Sequence, residues 1–387
     1  MSVTAARGFE ASGVAAGIRR ASPDVALVRS VPHAVGGAVW TTNRVQAAPV
    51  AVSQRHLELA EPQAVVINAG VANAATGTAG INDAERTAVE TARHLGLQPE
   101  EVVVLSTGVI GVPLPMAKLL AGIEDAAAGL SPQGGPAAAE AILTTDNGPK
   151  QAVVEGRGFT VGGMAKGAGM IHPRLATMLA VVTTDYPLEP GEPVELLRTA
   201  VDASFNRISV DGECSTNDAV VLLANGGSRI ARDSVTDSEF ADALNEVCSS
   251  LARQIVEDGE GATVLLEIHV TSASSEEEAL AIARRIATSP LVKTAAFGRD
   301  PNWGRVLAAA GSAPWNGGFA RLDPDLLTVA FDGTRVFERG APTGLTPSLG
   351  GAAVTIDVDL GLGSGVAAYL ASDLTYDYVK LNAEYTT

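Results

Sequence analysis

The chain is poor in cysteine, in histidine clusters, in aromatic rings and in positive charge, and each shortage removes a class of explanation. Two cysteines, Cys214 and Cys248, among 387 residues would allow one disulfide in a secreted protein. With no export signal ahead of them, two free thiols are expected. The five histidines (His33, His56, His94, His172 and His269) are scattered without a paired ligand spacing, so no metal site built on Cys and His is expected. Lysine and arginine total 27 against 44 acidic residues, a formal charge of −17. A field of that sign repels phosphate backbones and anionic lipid, which argues against nucleic acid and membrane surfaces as partners. No apolar run approaches the roughly 18 residues that a membrane span needs. The opening residues, MSVTAARGFEASGVAAG, lack the continuous apolar core of a secretory signal. A soluble cytoplasmic protein is the expectation.

What the sequence does hold is small apolar residues. Hydrophobic side chains make up 46% and charged ones 18%, so disorder over most of the length is excluded, and the length itself suits two or three domains' worth of core. Alanine, glycine and valine let helices and sheets approach closely, which favours layered α/β packing. AVVIN (64–68) and VVVLS (102–106) are short β-branched runs that read as buried strands. Between them, 83–95 reads as a helix with Asn82 as its N-cap and Gly96 as its stop. AAAGLSPQGGPAAA (126–139) reads as a loop leading into a further helix. Helices are expected over 195–205, 238–256 and 275–287, the last opened by Ser275 and Glu278 in an S-x-x-E pattern. TVLLEIHV (263–270) and AVTIDVDL (353–360) read as strands, and 327–338 as a hairpin turning on Asp332-Gly333. No repeat of fixed period is present.

The segment GGMAKGAGMIHPRLATMLAVVTTD (162–185) runs from a glycine-rich, proline-broken stretch straight into a compact apolar one, with Ala176-Thr177 at the junction. Its plain reading is a loop entering a core strand or helix. A phosphate-binding loop fits poorly, because no Gly-Lys-Ser/Thr follows Gly167 and Gly169. The sharper reading concerns Thr177. A threonine hydroxyl is a weak nucleophile without a base beside it, but an N-terminal threonine carries its own, an α-amine with a pKa of about 8. The same hydroxyl can first attack the carbonyl of Ala176, a small residue that does not obstruct it. Acyl chemistry also needs oxyanion donors. STGVIG (106–111), at the exit of the strand VVVLS, offers Thr107 and Gly108 through a hydroxyl and a main-chain amide; its plain reading is an ordinary strand-to-loop exit.

Eight segments together carry a resemblance along nearly the whole length: NAGVANAATG (68–77), STGVIG (106–111), TTDNGPK (144–150), KGAGMIHPRLATML (166–179), DGECSTNDAVVLLANG (211–226), EGAT (260–263), DPNWGRVLAAAG (300–311) and NAEYTT (382–387). In this order and spacing the chain resembles the ornithine acetyltransferase family, the bifunctional glutamate N-acetyltransferases of arginine biosynthesis. The resemblance implies a two-lobed, layered α/β sandwich of the ornithine acetyltransferase and self-processing aminopeptidase type. It implies autoproteolysis between Ala176 and Thr177, giving an α chain of 1–176 with the oxyanion hole and a β chain of 177–387 that begins with the nucleophile. Thr107 and Gly108 are then the oxyanion hole, and Thr144, Lys166, Thr177, Glu260, Asn382 and Thr387 the substrate contacts. It implies ping-pong transfer of acetyl from N-acetylornithine to glutamate through acetyl-Thr177, with no cofactor. It leaves open whether acetyl-CoA is a second donor, and it suggests an α2β2 or larger assembly.

The side chains suit that chemistry. Lys166 can pair with a carboxylate and Glu260 with an ammonium, while Thr144, Asn382 and Thr387 supply neutral hydrogen bonds that serve both substrates; each charge also has a plain reading as a structural ion pair. His172 and Arg174 depart from the family pattern, standing before the scissile bond where small or polar residues are usual. Cys214 stands where Thr or Ser is common and is expected to be a small buried side chain. Two alternatives remain: a self-processing aminopeptidase or amidase with water as acceptor, and a non-catalytic amino-acid-binding protein in which Thr177 is never freed.

Overall fold

The computed structural model describes residues 2–20, 22–172 and 178–384. Its elements fall into two compact units, one within 1–206 and 213–255, the other within 207–212 and 256–386. The family's expected chain boundary at 176/177 therefore falls inside the span of the first unit rather than between the two.

Runs of β-branched and aliphatic residues without polar interruption need cover on both faces, and the first unit supplies it with two sheets. One sheet has the order β1 (Phe9–Val14), β2 (Val25–Ser30), β4 (Ala64–Val71), β5 (Val102–Val109), with β4 and β5 parallel and the other neighbours antiparallel. The other has the order β3 (Val35–Trp40), β10 (Ala219–Ala224), β8 (Leu179–Thr184), β7 (Thr160–Lys166), β6 (Lys150–Glu155), where only β10 and β8 are parallel. The two-residue period of a strand sorts the side chains. Val65, Ile67, Val103 and Leu105 share one buried cluster with Met164, Leu179, Val181, Val221 and Leu223 of the second sheet. Val66, Val102 and Val104 point the other way, toward Ala88 and Ala92 of α2 (Gly77–Leu95) and Leu119 and Ile123 of α3 (Met116–Ala128). Helix α1 (Ala48–Leu57) packs on β5 and α2, and α4 (Gly135–Ala141) on β1 and β2. On the far side of the second sheet, α5 (Glu192–Ala203) packs on β3 and β10, while Val247 and Leu251 of α6 (Ser234–Glu257) lie over β7. The result is a helix–sheet–sheet–helix sandwich.

The second unit is a seven-stranded sheet with helices on one face. Its order is β16 (Ala341–Pro342), β15 (Thr334–Glu338), β14 (Thr328–Phe331), β17 (Ala353–Asp359), β11 (Leu265–Ala273), β18 (Gly365–Ser372), β9 (Ile208–Ser209). A small hairpin, β12 (Pro314–Trp315) and β13 (Gly318–Phe319), stands apart. Ile268, Val354, Ile356 and Val358 bury against Ile282 and Ile286 of α7 (Glu276–Ala287), Val292 of α8 (Pro290–Phe297) and Val306 of α9 (Trp303–Ala310). A last helix, α10 (Tyr376–Glu384), follows β18. Ser275 caps α7 as expected, its hydroxyl accepting from the Glu278 N–H. Asp332 and Gly333 both take positive φ, 46° and 75°, at the tip of the expected hairpin.

Two expectations need correction. Helix α2 starts at Gly77, not Asp83, so Asn82 lies inside it. Asn73 and Thr76 brace the early turn, with Asn73 Nδ2 donating to the Gly80 carbonyl, and that tertiary support overrides the weak propensity of the glycines. The expected loop over 126–139 shrinks to 129–134, because α3 continues through Ala128 and α4 begins at Gly135 with proline in its first turn. Alanine favours helix more strongly than the local glycines break it.

Candidate active site

The expected exit after VVVLS lies inside β5, which runs on through Thr107 and Gly108 to Val109 in register with β4, and the structure shows why glycine is needed. Gly108 has φ +131° and stands beside Gly70 in the parallel ladder with β4. A Cβ at position 108 would lie 2.2 Å from the Gly70 carbonyl carbon. Thr107 is buried just before it. Ser106 donates its hydroxyl to Asn68 Oδ1 at 2.6 Å, and Asn68 Nδ2 donates to the Val71 carbonyl at 2.8 Å. The ends of β4 and β5 are thus cross-braced at the proposed oxyanion donors.

Across the core, the ends of β7, β8 and β10 line up in the second sheet: Lys166 pairs with Leu179, and Leu179 with Ala219. Beside that row sits a buried charge cluster. Asp146 receives the Lys150 ammonium at 2.7 Å, the Gly167 N–H at 2.6 Å and the Thr144 N–H at 2.9 Å, with the Lys166 ammonium at 3.9 Å. Burial raises the Asp146 carboxyl, but the Lys166 and Lys150 charges, together with the Lys150 and Thr144 hydrogen bonds, outweigh it and hold the group well below the ordinary carboxylate range. Thr144 and Lys166, expected to contact substrate, are therefore brought together through Asp146.

Asn217 and Asp218 precede β10 and are both buried. Asn217 Nδ2 donates to the carbonyls of Ala72, at 2.6 Å, and Ser106, at 2.9 Å. Asp218 Oδ1 accepts the Met178 N–H at 3.0 Å. Burial pushes the Asp218 carboxyl well above its ordinary range, against the pull of that N–H, of Ser215 and of Lys166.

In the second unit, Asn382 Nδ2 donates to Glu260 Oε2 at 2.9 Å and to the Tyr378 carbonyl at 3.1 Å, so these two expected contacts also meet. Ala176, Thr177, Arg174 and Thr387 lie outside the described residues; His172 is the last described position before that stretch. Neither cysteine forms a disulfide. Cys248 is buried, which drives its thiol up to about 12. Cys214 is only half-buried, beside the Thr41 hydroxyl at 3.8 Å, which corrects the expectation of a buried side chain. No helix among the described residues is long and apolar enough to cross a membrane. Asp146, Lys150, Asn217 and Asp218 were not singled out by sequence reasoning. All four lie inside the segments TTDNGPK and DGECSTNDAVVLLANG, but their partners are set by tertiary contact.

The model of the ArgJ family matches residues 10–387. A relative from Thermobifida fusca named "Arginine biosynthesis bifunctional protein ArgJ" is 47% identical over 395 residues, covering 100% of both chains. Its namesake from Mycolicibacterium paratuberculosis is 47% identical over 399 residues, covering 100% of this chain and 96% of that one. Among solved structures, an ornithine acetyltransferase from Mycobacterium tuberculosis complexed with ornithine is 46% identical, with a TM-score of 0.43, covering 44% of this chain and 94% of that chain.

Proposed function

The chain belongs to the ArgJ family, and from that premise we propose that it transfers acetyl from N-acetylornithine to glutamate through an N-terminal threonine. The observation that carries this reading is the full-length likeness, at 47% identity, to relatives named as bifunctional proteins of arginine biosynthesis. In this scheme Thr177 Oγ attacks the Ala176 carbonyl, the peptide nitrogen leaves, and water opens the resulting ester. Two polypeptides result, 1–176 and 177–387. The freed α-amine of Thr177 then serves as base for its own hydroxyl. Oγ attacks the acetyl carbonyl of N-acetylornithine, the amine returns its proton to the leaving ornithine nitrogen, and the amine of glutamate reverses the sequence to take the acetyl group. Thr107 and Gly108 stabilise the oxyanion in both halves.

Substrate binding follows from charge. Lys166 carries the charge that suits a substrate carboxylate, and Asp146, which it approaches at 3.9 Å, also receives the Thr144 N–H, so these two proposed contacts stand at one cluster. Glu260, oriented by Asn382, suits the ornithine side-chain ammonium, and Thr387 completes the contact set. We further assign the protein to the cytoplasm as an α2β2 or larger assembly, with acetyl-CoA as a co-substrate of the bifunctional type and no bound cofactor. Electrophoresis and intact mass test the first step: wild type should give two polypeptides and Thr177→Ala one. An uncut wild type with full activity would sink the scheme. Acetyl transfer to glutamate, measured with N-acetylornithine and with acetyl-CoA as separate donors against hydrolysis of either, tests the acceptor and the second activity.

A further inference from the structure

Helix α10 brings Asn382 to Glu260 although none of its nine residues is buried. A surface helix is normally set in rotation by a buried apolar stripe. In its place α10 has an aromatic edge contact, Tyr376 against Phe297, with ring centroids 5.4 Å apart. Rotation matters here, because each residue turns a helix by about 100° and a slip of one would swing Asn382 off the carboxylate.

The junction of β18 with α10 supplies the missing constraint. Asp373 accepts the Thr263 N–H at 2.9 Å and the Thr263 hydroxyl at 2.5 Å. Thr375 donates its hydroxyl to the Gly261 carbonyl at 2.7 Å and accepts the Tyr378 N–H at 3.1 Å. Both Asp373 and Thr375 are buried. The bond from Tyr378 is an N-cap. The bond to Gly261 is not needed for capping, and it ties the helix to the loop that bears Glu260. Gly261 allows the close approach: its φ is +65°, and a Cβ there would lie 2.4 Å from the Tyr378 nitrogen. Asn382 follows Thr375 by about two turns, which returns it to the same face, and its Nδ2 also donates to the Tyr378 carbonyl at 3.1 Å.

We propose that Thr375 is a positioning residue for the donor half of the reaction, its hydroxyl latching α10 to the Gly261 carbonyl so that Asn382 and Glu260 keep one geometry around the ornithine side-chain ammonium. The inference rests on the reading of Glu260 as partner of that ammonium and adds the device that orients it. Glu260 is only partly buried and Asn382 is exposed, so packing alone does not hold them. A carboxylate ordered on folding need not be ordered on binding, which favours affinity. Glutamate has no side-chain ammonium, so the latch serves N-acetylornithine and not the acceptor.

Initial rates with both substrates varied separate the two halves, since in ping-pong transfer kcat/KM for each substrate reports its own half-reaction. Thr375→Val keeps the bulk and branching but removes both hydrogen bonds. It should lower kcat/KM for N-acetylornithine about tenfold, the scale of a weakened bond to a charged group, and hold that for glutamate within about threefold. Thr375→Ser, which keeps the hydroxyl, should restore the donor value to within about threefold of wild type. Glu260→Gln should share the donor defect, and adding Thr375→Val to it should cost no more than about a further threefold, because both act through one contact. An unchanged donor value in Thr375→Val overturns the proposal, as does a Thr375→Ser enzyme no better than Thr375→Val. An equal fall for glutamate, full additivity in the double variant, or a Thr375→Val chain that cannot be recovered folded also overturns it, since the hydroxyl would then serve the fold alone. A Glu260→Gln enzyme with an unimpaired donor half would instead remove the Glu260 reading beneath it, so the two failures are distinguishable.

Discussion

Asp146 gathers two lysine ammoniums and two backbone amides on one buried carboxylate. Its depressed pKa has a definite sign in the pH dependence of stability. The contribution is complete above the unfolded value of about 4 and is lost as the pH falls through and below it. In the uncut Thr177→Ala background, Asp146→Asn is expected to cost about 3–5 kcal/mol at pH 7, the cost of breaking a buried ion pair by removing one partner. Urea unfolding at pH 7 and pH 3 should show that difference shrink with acid. Asp218 carries the opposite sign, its pKa raised by burial, so ionising it works against folding as the pH rises and Asp218→Asn should not weaken the fold at neutral pH. Asn217→Ala strands the Ala72 and Ser106 carbonyls and should cost about 2–4 kcal/mol in the same assay. At this scale the sequence spoke unevenly. The β-branched run before Thr107 and Gly108 was legible as a strand, but the continuation of β5 through both residues to Val109 was not, because that extension depends on pairing with β4. Nor was Asn217, because its acceptors lie 145 and 111 residues away and no local pattern records them.

Strands were easier to read than helix ends, for a physical reason. The cores of β4 and β5 announce themselves as β-branched runs buried on both faces, and β11 and β17 through alternating burial, whereas α2 and α4 begin among glycines, whose weak helix propensity hides the start. The β14–β15 hairpin was legible because two consecutive positive φ values call for Asp-Gly. Gly333→Ala should therefore cost about 1 kcal/mol by thermal unfolding. Gly108→Ala should cost at least about 2 kcal/mol and abolish acetyl transfer, since positive φ combines with a collision against Gly70. A Gly108→Ala protein with normal kcat would contradict the oxyanion assignment.

At the scale of the molecule, composition and alternating patterns pointed to layered α/β, but not to which strands share a sheet. The second sheet of the first unit interleaves β3, β6 and β7 from before position 177 with β8 and β10 from after it. Antiparallel bonds join β7 to β8 and β3 to β10 along their whole lengths. The two polypeptides expected from the cut should therefore co-elute in native gel filtration and part only in denaturant. The interleaving also makes the cut a one-way step in the life of the molecule. Before it, a denatured chain searches for its partner strands within itself; afterwards, the same search is an encounter between two separate chains. Recovery after dilution from urea should be independent of protein concentration for Thr177→Ala and should fall with dilution for the cut enzyme, whose persistence would then depend on how slowly it unfolds.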